Sequence, residues 1–350
     1  MDIPKKFVIS VTYPPITSYP QYAGPLSLIY TYDNAKKWFA NSYIQLFIDN
    51  RKPVSGGIKF RQELFLRFCP FIRMEGIEDY RFFTNKDKLI DDIKIIISNN
   101  QAVAVNVDRY FIPLKKNNNH LIHSVYIYGY DDEKQEFYIA DFVSESGKFT
   151  LTTIPYENMQ ESLNSMDDTD YTFKYSSKKS FIYTYDVFDY DYDYEFSIQE
   201  LYQKLSDYYK CENTMDANCY EVFRMYKVNS DTKWGIGVYE WLIEYISYIK
   251  LKNNKYMDLR SIYVLLDHKN AMLERINYLE SENILQNHDM LRIKYTALLN
   301  KINILLNLGI KYNLSNNEEI IIKMQSLIND IIEMEKDAAY TFLKIIELVL

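Results

Sequence analysis

The sequence predicts an α+β domain over residues 1–185, followed by an all-α domain over residues 196–350. Three observations carry this prediction. Short β-branched and aromatic runs with turn residues between them cluster before residue 185. From Ser197 onward the apolar residues recur at helical spacing. Between the two lies Asp189–Glu195, an acidic-aromatic alternation that reads as an exposed connector.

Taken in order, Phe7–Val11 is a strand candidate closed by Pro14 and Pro15. Gly24-Pro25 opens an apolar helix over Leu26–Tyr32, with Pro25 in the first turn, where its missing N–H costs nothing. A second helix is expected over Ala35–Ile48, and a third over Lys86–Ser98 with Asn85 as its cap. Ala102–Val107 alternates as a strand. Ser124–Tyr130 and Glu136–Ala140 flank Asp131-Asp132-Glu133-Lys134 and read as a hairpin, and Phe181–Tyr185 reads as a further strand. In the second half, Ser197 and Glu200 have capping-box spacing, as do Ser315 and Glu318. Trp234–Lys250 is an apolar helix with Trp234 and Trp241 on one face. Helices are expected over Leu259–Leu279 and Asp289–Leu308, the latter ended by Gly309.

The composition narrows the function. A net charge of -8 over 350 residues disfavours nucleic acid or an anionic membrane as the main partner. Three cysteines, Cys69, Cys211 and Cys219, form no disulfide framework and suit a reduced, cytoplasmic compartment. No run approaches the roughly 18 apolar residues of a membrane span. Four histidines without clustered cysteines or paired carboxylates give no metal site. His268 and His288 read as lying on solvated faces or in interhelical hydrogen bonds.

His123 and Asp141 carry the chemistry. They lie 141 − 123 = 18 residues apart across the predicted hairpin, so a residue opening one strand can meet a residue ending the next. Acyl transfer by a thiol needs a Cys at a helix N-terminus, a His within reach, and a third group that fixes the imidazole tautomer. His123 is the candidate base and Asp141 its orienter. His120 lies in the preceding loop and reads as exposed. Asp108 and Tyr110 end a buried strand, where a charge is costly unless engaged; loop bonding and reception of a substrate amine are both open.

The segment Gln21-Tyr22-Ala23-Gly24-Pro25-Leu26-Ser27-Leu28 resembles the D-C-G-P-x-x-L stretch around the nucleophile of bacteriocin-processing, papain-like cysteine peptidases. Gly24, Pro25 and Leu28 match, and Ala23 falls on the Cys. Asp108-Arg109-Tyr110-Phe111-Ile112-Pro113 and the His123–Asp141 hairpin resemble the butirosin-biosynthesis H N-terminal family. Gly237-Val238-Tyr239, Asp258-Leu259-Arg260-Ser261, His268-Lys269 and Glu274-Arg275 are similar to the helical region that accompanies it.

The resemblance implies a papain-like (cysteine peptidase-like) domain before the helical one. It also implies an amide-forming acyltransferase with a Cys-His-Asp site at 23, 123 and 141. The acyl group would arrive on the phosphopantetheine of an acyl or peptidyl carrier protein and leave on a small amine received by Asp108 and Tyr110. No metal or separate cofactor is implied. Ala23 is read as an inactivating replacement of Cys; a cysteine peptidase or amidase, and a natural non-catalytic scaffold, are the alternatives. Gln21 stands too close to position 23 to be the usual oxyanion donor. Thr17 and Ser18 lie nearer that offset, and the backbone N–H of residue 23 is the expected contributor.

Overall fold

The computed structural model describes residues 3–48, 57–61, 69–77, 88–112, 120–142, 148–165, 182–187, 192–214, 232–286 and 289–350. In chain order the first elements are β1 (Lys6–Val8), α1 (Pro20–Ile29), α2 (Asp33–Ala40), β2 (Leu46–Ile48) and β3 (Ile58–Phe60). Then come β4 (Arg73–Ile77), α3 (Leu89–Ser98), β5 (Gln101–Asp108), β6 (Ile122–Asp131), β7 (Glu136–Asp141), β8 (Thr150–Pro155), α4 (Tyr156–Ser165) and β9 (Ile182–Asp186). The helices α5 (Ile198–Lys210), α6 (Val238–Leu251), α7 (Arg260–Ser281), α8 (Asp289–Ser315) and α9 (Glu318–Glu347) complete the described chain.

The chain is α+β and divides into two compact units. Met1–Ala35 with Arg67–Tyr192 form the first; Lys36–Leu66 with Asp193–Leu350 form the second. In the first, one antiparallel sheet runs β4-β9-β5-β6-β7-β8, with β1 paired to the far end of β6. The strand β5 is central because its Ala and Val residues are buried from Ala102 to Val107 and both its edges are paired. The β6–β7 hairpin forms as expected. Asp131 Oδ1 accepts from the N–H groups of Glu133 and Lys134 at 3.1 and 3.2 Å, and Gln135 takes the left-handed conformation. At Gly129 the backbone of Phe7 and Val8 comes so close that a Cβ would stand 3.0 Å from the Phe7 carbonyl oxygen. β8 and α4 had no counterpart in the sequence reading.

The second unit is not purely helical. Residues 36–66, expected in the first domain, are built into it by buried hydrogen bonds from α7. Arg275 donates to the carbonyls of Ala40 (2.6 Å) and Ser42 (2.5 Å), and His268 Nε2 to that of Ile44 (2.8 Å). The first of these bonds satisfies the carbonyl of the last residue of α2, and the others hold carbonyls of the segment that follows it. The helix expected over Ala35–Ile48 therefore stops at Ala40, and the chain continues into β2, which pairs with β3. His268 is fully buried rather than solvated; His288 lies outside the described residues, as do Asn85 and part of the Asp189–Glu195 connector.

Other departures are local. Pro20, not Pro25, occupies the first turn of α1, and Pro25 sits inside the helix. Trp234 precedes the helix it was assigned to and bridges to Phe47 on β2, so it shares no helix face with Trp241. Gly309 does not end α8. It lies within the helix, and a Cβ there would stand 2.5 Å from Leu259 Cδ2, so glycine serves close packing. Asn317 rather than Ser315 caps α9, accepting from Glu319 N–H at 2.9 Å. Ser197 caps α5 as expected, accepting from Glu200 N–H at 3.2 Å. Among the described residues no helix is long and apolar enough to cross a membrane.

The second unit buries an ionic cluster. Lys269 on α7 pairs with Glu335 on α9, both fully buried. The hydroxyls of Tyr208 and Tyr239 donate to the same carboxylate at 2.9 and 3.2 Å. Each carboxylate oxygen thus has a hydroxyl donor, which offsets the cost of removing the charge from water.

Candidate functional site

Strand register brings the predicted base and orienter together. Tyr126 pairs with Ala140, so Asp141 stands opposite Val125 and diagonal to His123. Asp141 is fully buried, while the His123 side chain is 31% exposed. His123 Nδ1 lies 3.8 Å from Asp141 Oδ1, longer than a hydrogen bond.

Arg109 occupies the remaining space. It follows directly on β5, its N–H donating to the Leu121 carbonyl at 2.9 Å, which turns its side chain toward the ends of β6 and β7. Its Nη2 reaches Asp141 Oδ2 at 2.5 Å and His123 Nδ1 at 3.0 Å. Asp141 Oδ1 is left buried without a hydrogen-bond partner, facing the imidazole. His123 Nδ1 also lies 2.8 Å from the Ser124 carbonyl. One nitrogen cannot accept from Arg109 and donate to Ser124 at once. The Nδ1–H tautomer leaves Nε2 as a proton acceptor; the Nε2–H tautomer makes it a donor.

Ala23 is fully buried, the fourth residue of α1. Its N–H donates to the Tyr19 carbonyl at 3.0 Å. That bond commits the backbone donor expected to line an oxyanion hole. The next residue, Gly24, meets the Tyr126 ring so closely that a Cβ would stand 2.4 Å from it. Tyr126 is buried, and its hydroxyl lies 3.3 Å from that of Tyr185. Burial pushes the Tyr126 phenol well up, and the charges of Tyr185 and Asp141 add to the rise. α1 therefore packs on a strand residue that feels the Asp141 charge.

Asp108 is a loop anchor. Its Oδ1 accepts from the N–H groups of Tyr110 (3.0 Å) and Leu121 (3.2 Å), and its Oδ2 contacts His120 Nδ1 (2.6 Å) and Ser165 Oγ (3.2 Å). With both oxygens engaged, the loop-bonding role is the one this geometry fits, rather than the reception of an amine. Tyr110 is exposed and stacks on His120 with ring centres 4.3 Å apart. His120 and Asp108 thus make a second, closer histidine–carboxylate pair.

Neither described cysteine sits in a thiolate-favouring place. Burial pushes the Cys69 thiol up to about 12, and Cys211 is raised by desolvation too. Cys219 lies outside the described residues. Among those residues no group of three or more His, Cys, Asp or Glu is arranged to hold a metal.

No protein-family model matches the chain, and no curated protein matches it. The site residues that sequence reasoning passed over are Arg109 and Tyr126. Arg109 carried one usable signal, a cation directly after a strand rich in Ala and Val, which burial obliges to find a carboxylate. Tyr126 carried none, because its role depends on where α1 lands.

Proposed function

We propose that the first unit is a papain-like acyl-transfer domain of the amide-forming kind, with residue 23 as the acyl-accepting position and His123 and Asp141 as base and orienter. The observation that carries this reading is Asp141 itself. Its Oδ2 is held by Arg109 and its Oδ1 is unpartnered 3.8 Å from His123 Nδ1. A small rotation of the imidazole closes that gap and fixes the Nδ1–H tautomer, which leaves Nε2 as base.

In this scheme a Cys sulfur at position 23 attacks the carbonyl of a carrier-protein thioester. The phosphopantetheine thiol leaves with the proton that His123 took from the cysteine. The amine nitrogen then attacks the enzyme thioester, an amide bond forms, and the cysteine thiol departs with the proton His123 removes from the amine. Alanine has no atom to accept an acyl group, so the chain with Ala23 holds substrates without this turnover. The cytoplasm, where carrier proteins and reduced thiols coexist, is the proposed compartment.

A second reading, a scaffold that binds without catalysis, is favoured by the burial of Ala23 and the engagement of its N–H by Tyr19. The two part in an assay of Ala23→Cys with an acylated carrier protein and a panel of small amines. Amine-dependent amide product that disappears in Ala23→Cys/His123→Ala supports the acyltransferase. Peptide cleavage without amide product replaces it with a peptidase; neither activity leaves the scaffold.

A further inference from the structure

Two sides of the long helix α8 differ in what covers them. Leu291, Tyr295, Leu298, Ile302 and Leu305 are buried, and the helix packs on α7 and α9. On another side Met290, Ile293 and Ile304 stand 65%, 66% and 51% exposed, with Ala297 and Leu308 half-buried in line with them. At 3.6 residues per turn these positions fall within a stripe about 60° wide. Exposed apolar residues scattered singly need no explanation, whereas an aligned row of them marks a contact surface. The row is also balanced about its middle. Met290 and Ile293, both large, precede the small Ala297, and Ile304 and Leu308 follow it.

The charges of α8 narrow the occupant. Arg292 pairs with Glu280 on α7, while Lys294 and Lys301 pair with Asp337 and Asp330 on α9 at 2.5 and 3.8 Å. The other charged residues of the helix are Asp289 at its first position and Lys311 in its last turns. Both are exposed and have no ion pair among the described residues. They are opposite in sign and sit at opposite ends of the stripe. Laid antiparallel on a second copy of itself, α8 sets Met290 opposite Leu308 of that copy and Ile293 opposite its Ile304. Ala297 then falls near the centre, where a small side chain permits close approach. Asp289 comes within reach of Lys311 of the second copy, and a two-fold axis makes that pair twice. A parallel arrangement would set like charge against like, which is costly. A purely acidic or purely basic partner would answer one end and repel the other.

We propose that α8 is the contact surface of a symmetric homodimer, in which two copies of the chain pack this helix antiparallel along the stripe from Met290 to Leu308. The surface lies within the second unit and is independent of the acyl-transfer reading.

The test is sedimentation velocity on the full chain through the micromolar range, with reductant present because Cys211 is exposed. The mass should rise with concentration from that of a monomer toward that of a dimer. Ile293→Glu and Ile304→Glu, both at exposed positions, should each raise the dissociation constant at least about tenfold with unchanged far-ultraviolet dichroism, since symmetry puts two carboxylates into the apolar contact. Asp289→Lys and Lys311→Asp should each weaken association severalfold, and the double exchange Asp289→Lys/Lys311→Asp should restore it. Should a glutamate variant fail to fold, the exchange series gives an independent readout. A monomer at every concentration, which would leave the stripe to a foreign partner, overturns the proposal. So does a dimer indifferent to the folded glutamate variants, or one that the double exchange does not restore.

Discussion

Arg109 holds Asp141 by one oxygen, Nη2 to Oδ2 at 2.5 Å, and leaves the other oxygen turned toward His123. Both partners are nearly or fully removed from solvent, at 9% and 0% side-chain exposure. A carboxylate so placed is tolerable only because the guanidinium neutralises it.

Removal of that guanidinium should therefore be costly. Arg109→Ala leaves the Asp141 charge buried without its guanidinium partner. We expect a loss of about 3–5 kcal/mol in urea unfolding. Arg109→Lys, which keeps the charge but loses the fork, should fall between. Wild-type stability in Arg109→Ala would show that Asp141 does not depend on this pair.

Gly24 is where α1 meets the sheet, and the Tyr126 ring leaves no room for a methyl group. Tyr126 is buried and cannot swing into solvent. Overpacking of this kind costs about 1–3 kcal/mol, against a gain in helix propensity of under about 1 kcal/mol. Gly24→Ala should lower the thermal midpoint, and Gly24→Ala/Tyr126→Phe should not restore it, because the clash is with ring carbons rather than the hydroxyl.

His268 makes the second unit sensitive to acid. Burial, with the adjacent Lys269 charge adding, holds its pKa well below the usual imidazole value of 6.5. The unfolded chain takes up a proton below about pH 6.5 and the native chain does not, so unfolding binds a proton and stability falls as pH drops through that window. His268→Gln can still donate to the Ile44 carbonyl but cannot titrate. Denaturation midpoints compared at pH 7.5 and 5.5 should fall for the wild type and change less for the variant; equal pH dependence would remove His268 as the cause.

The Lys269–Glu335 pair gives a related outcome. Glu335→Gln deletes the charge opposite Lys269 and keeps one acceptor oxygen, while its amide nitrogen must donate to the other tyrosine hydroxyl. An orphaned buried ammonium should cost about 3–5 kcal/mol. A loss under about 1 kcal/mol would mean that Lys269 is already uncharged in the fold.

What the sequence made legible is what local pattern determines. The alternation of β5, the β6–β7 hairpin with its Asp131 turn, and the Ser197 cap all follow from residues within a few positions of one another. His123 and Asp141 could be paired because a hairpin fixes which ends meet. The rest depended on distant partners. α2 stops at Ala40, where Arg275, more than two hundred residues on, takes the carbonyl of its last residue. Gly309 reads as a helix stop and is a packing site, since Leu259 arrives from another element. Arg109 was only partly legible: its position after β5 called for a carboxylate, but the partner, Asp141, lies on β7.

Position 23 is the proposed acyl-receiving position. Intact mass spectrometry of Ala23→Cys, after incubation with an acylated carrier protein and no amine, tests it most directly. One added acyl mass is expected, located on residue 23, lost on treatment with hydroxylamine and absent from both the Ala23 chain and Ala23→Cys/His123→Ala. Modification confined to Cys211, or no adduct on a folded Ala23→Cys chain, would contradict it.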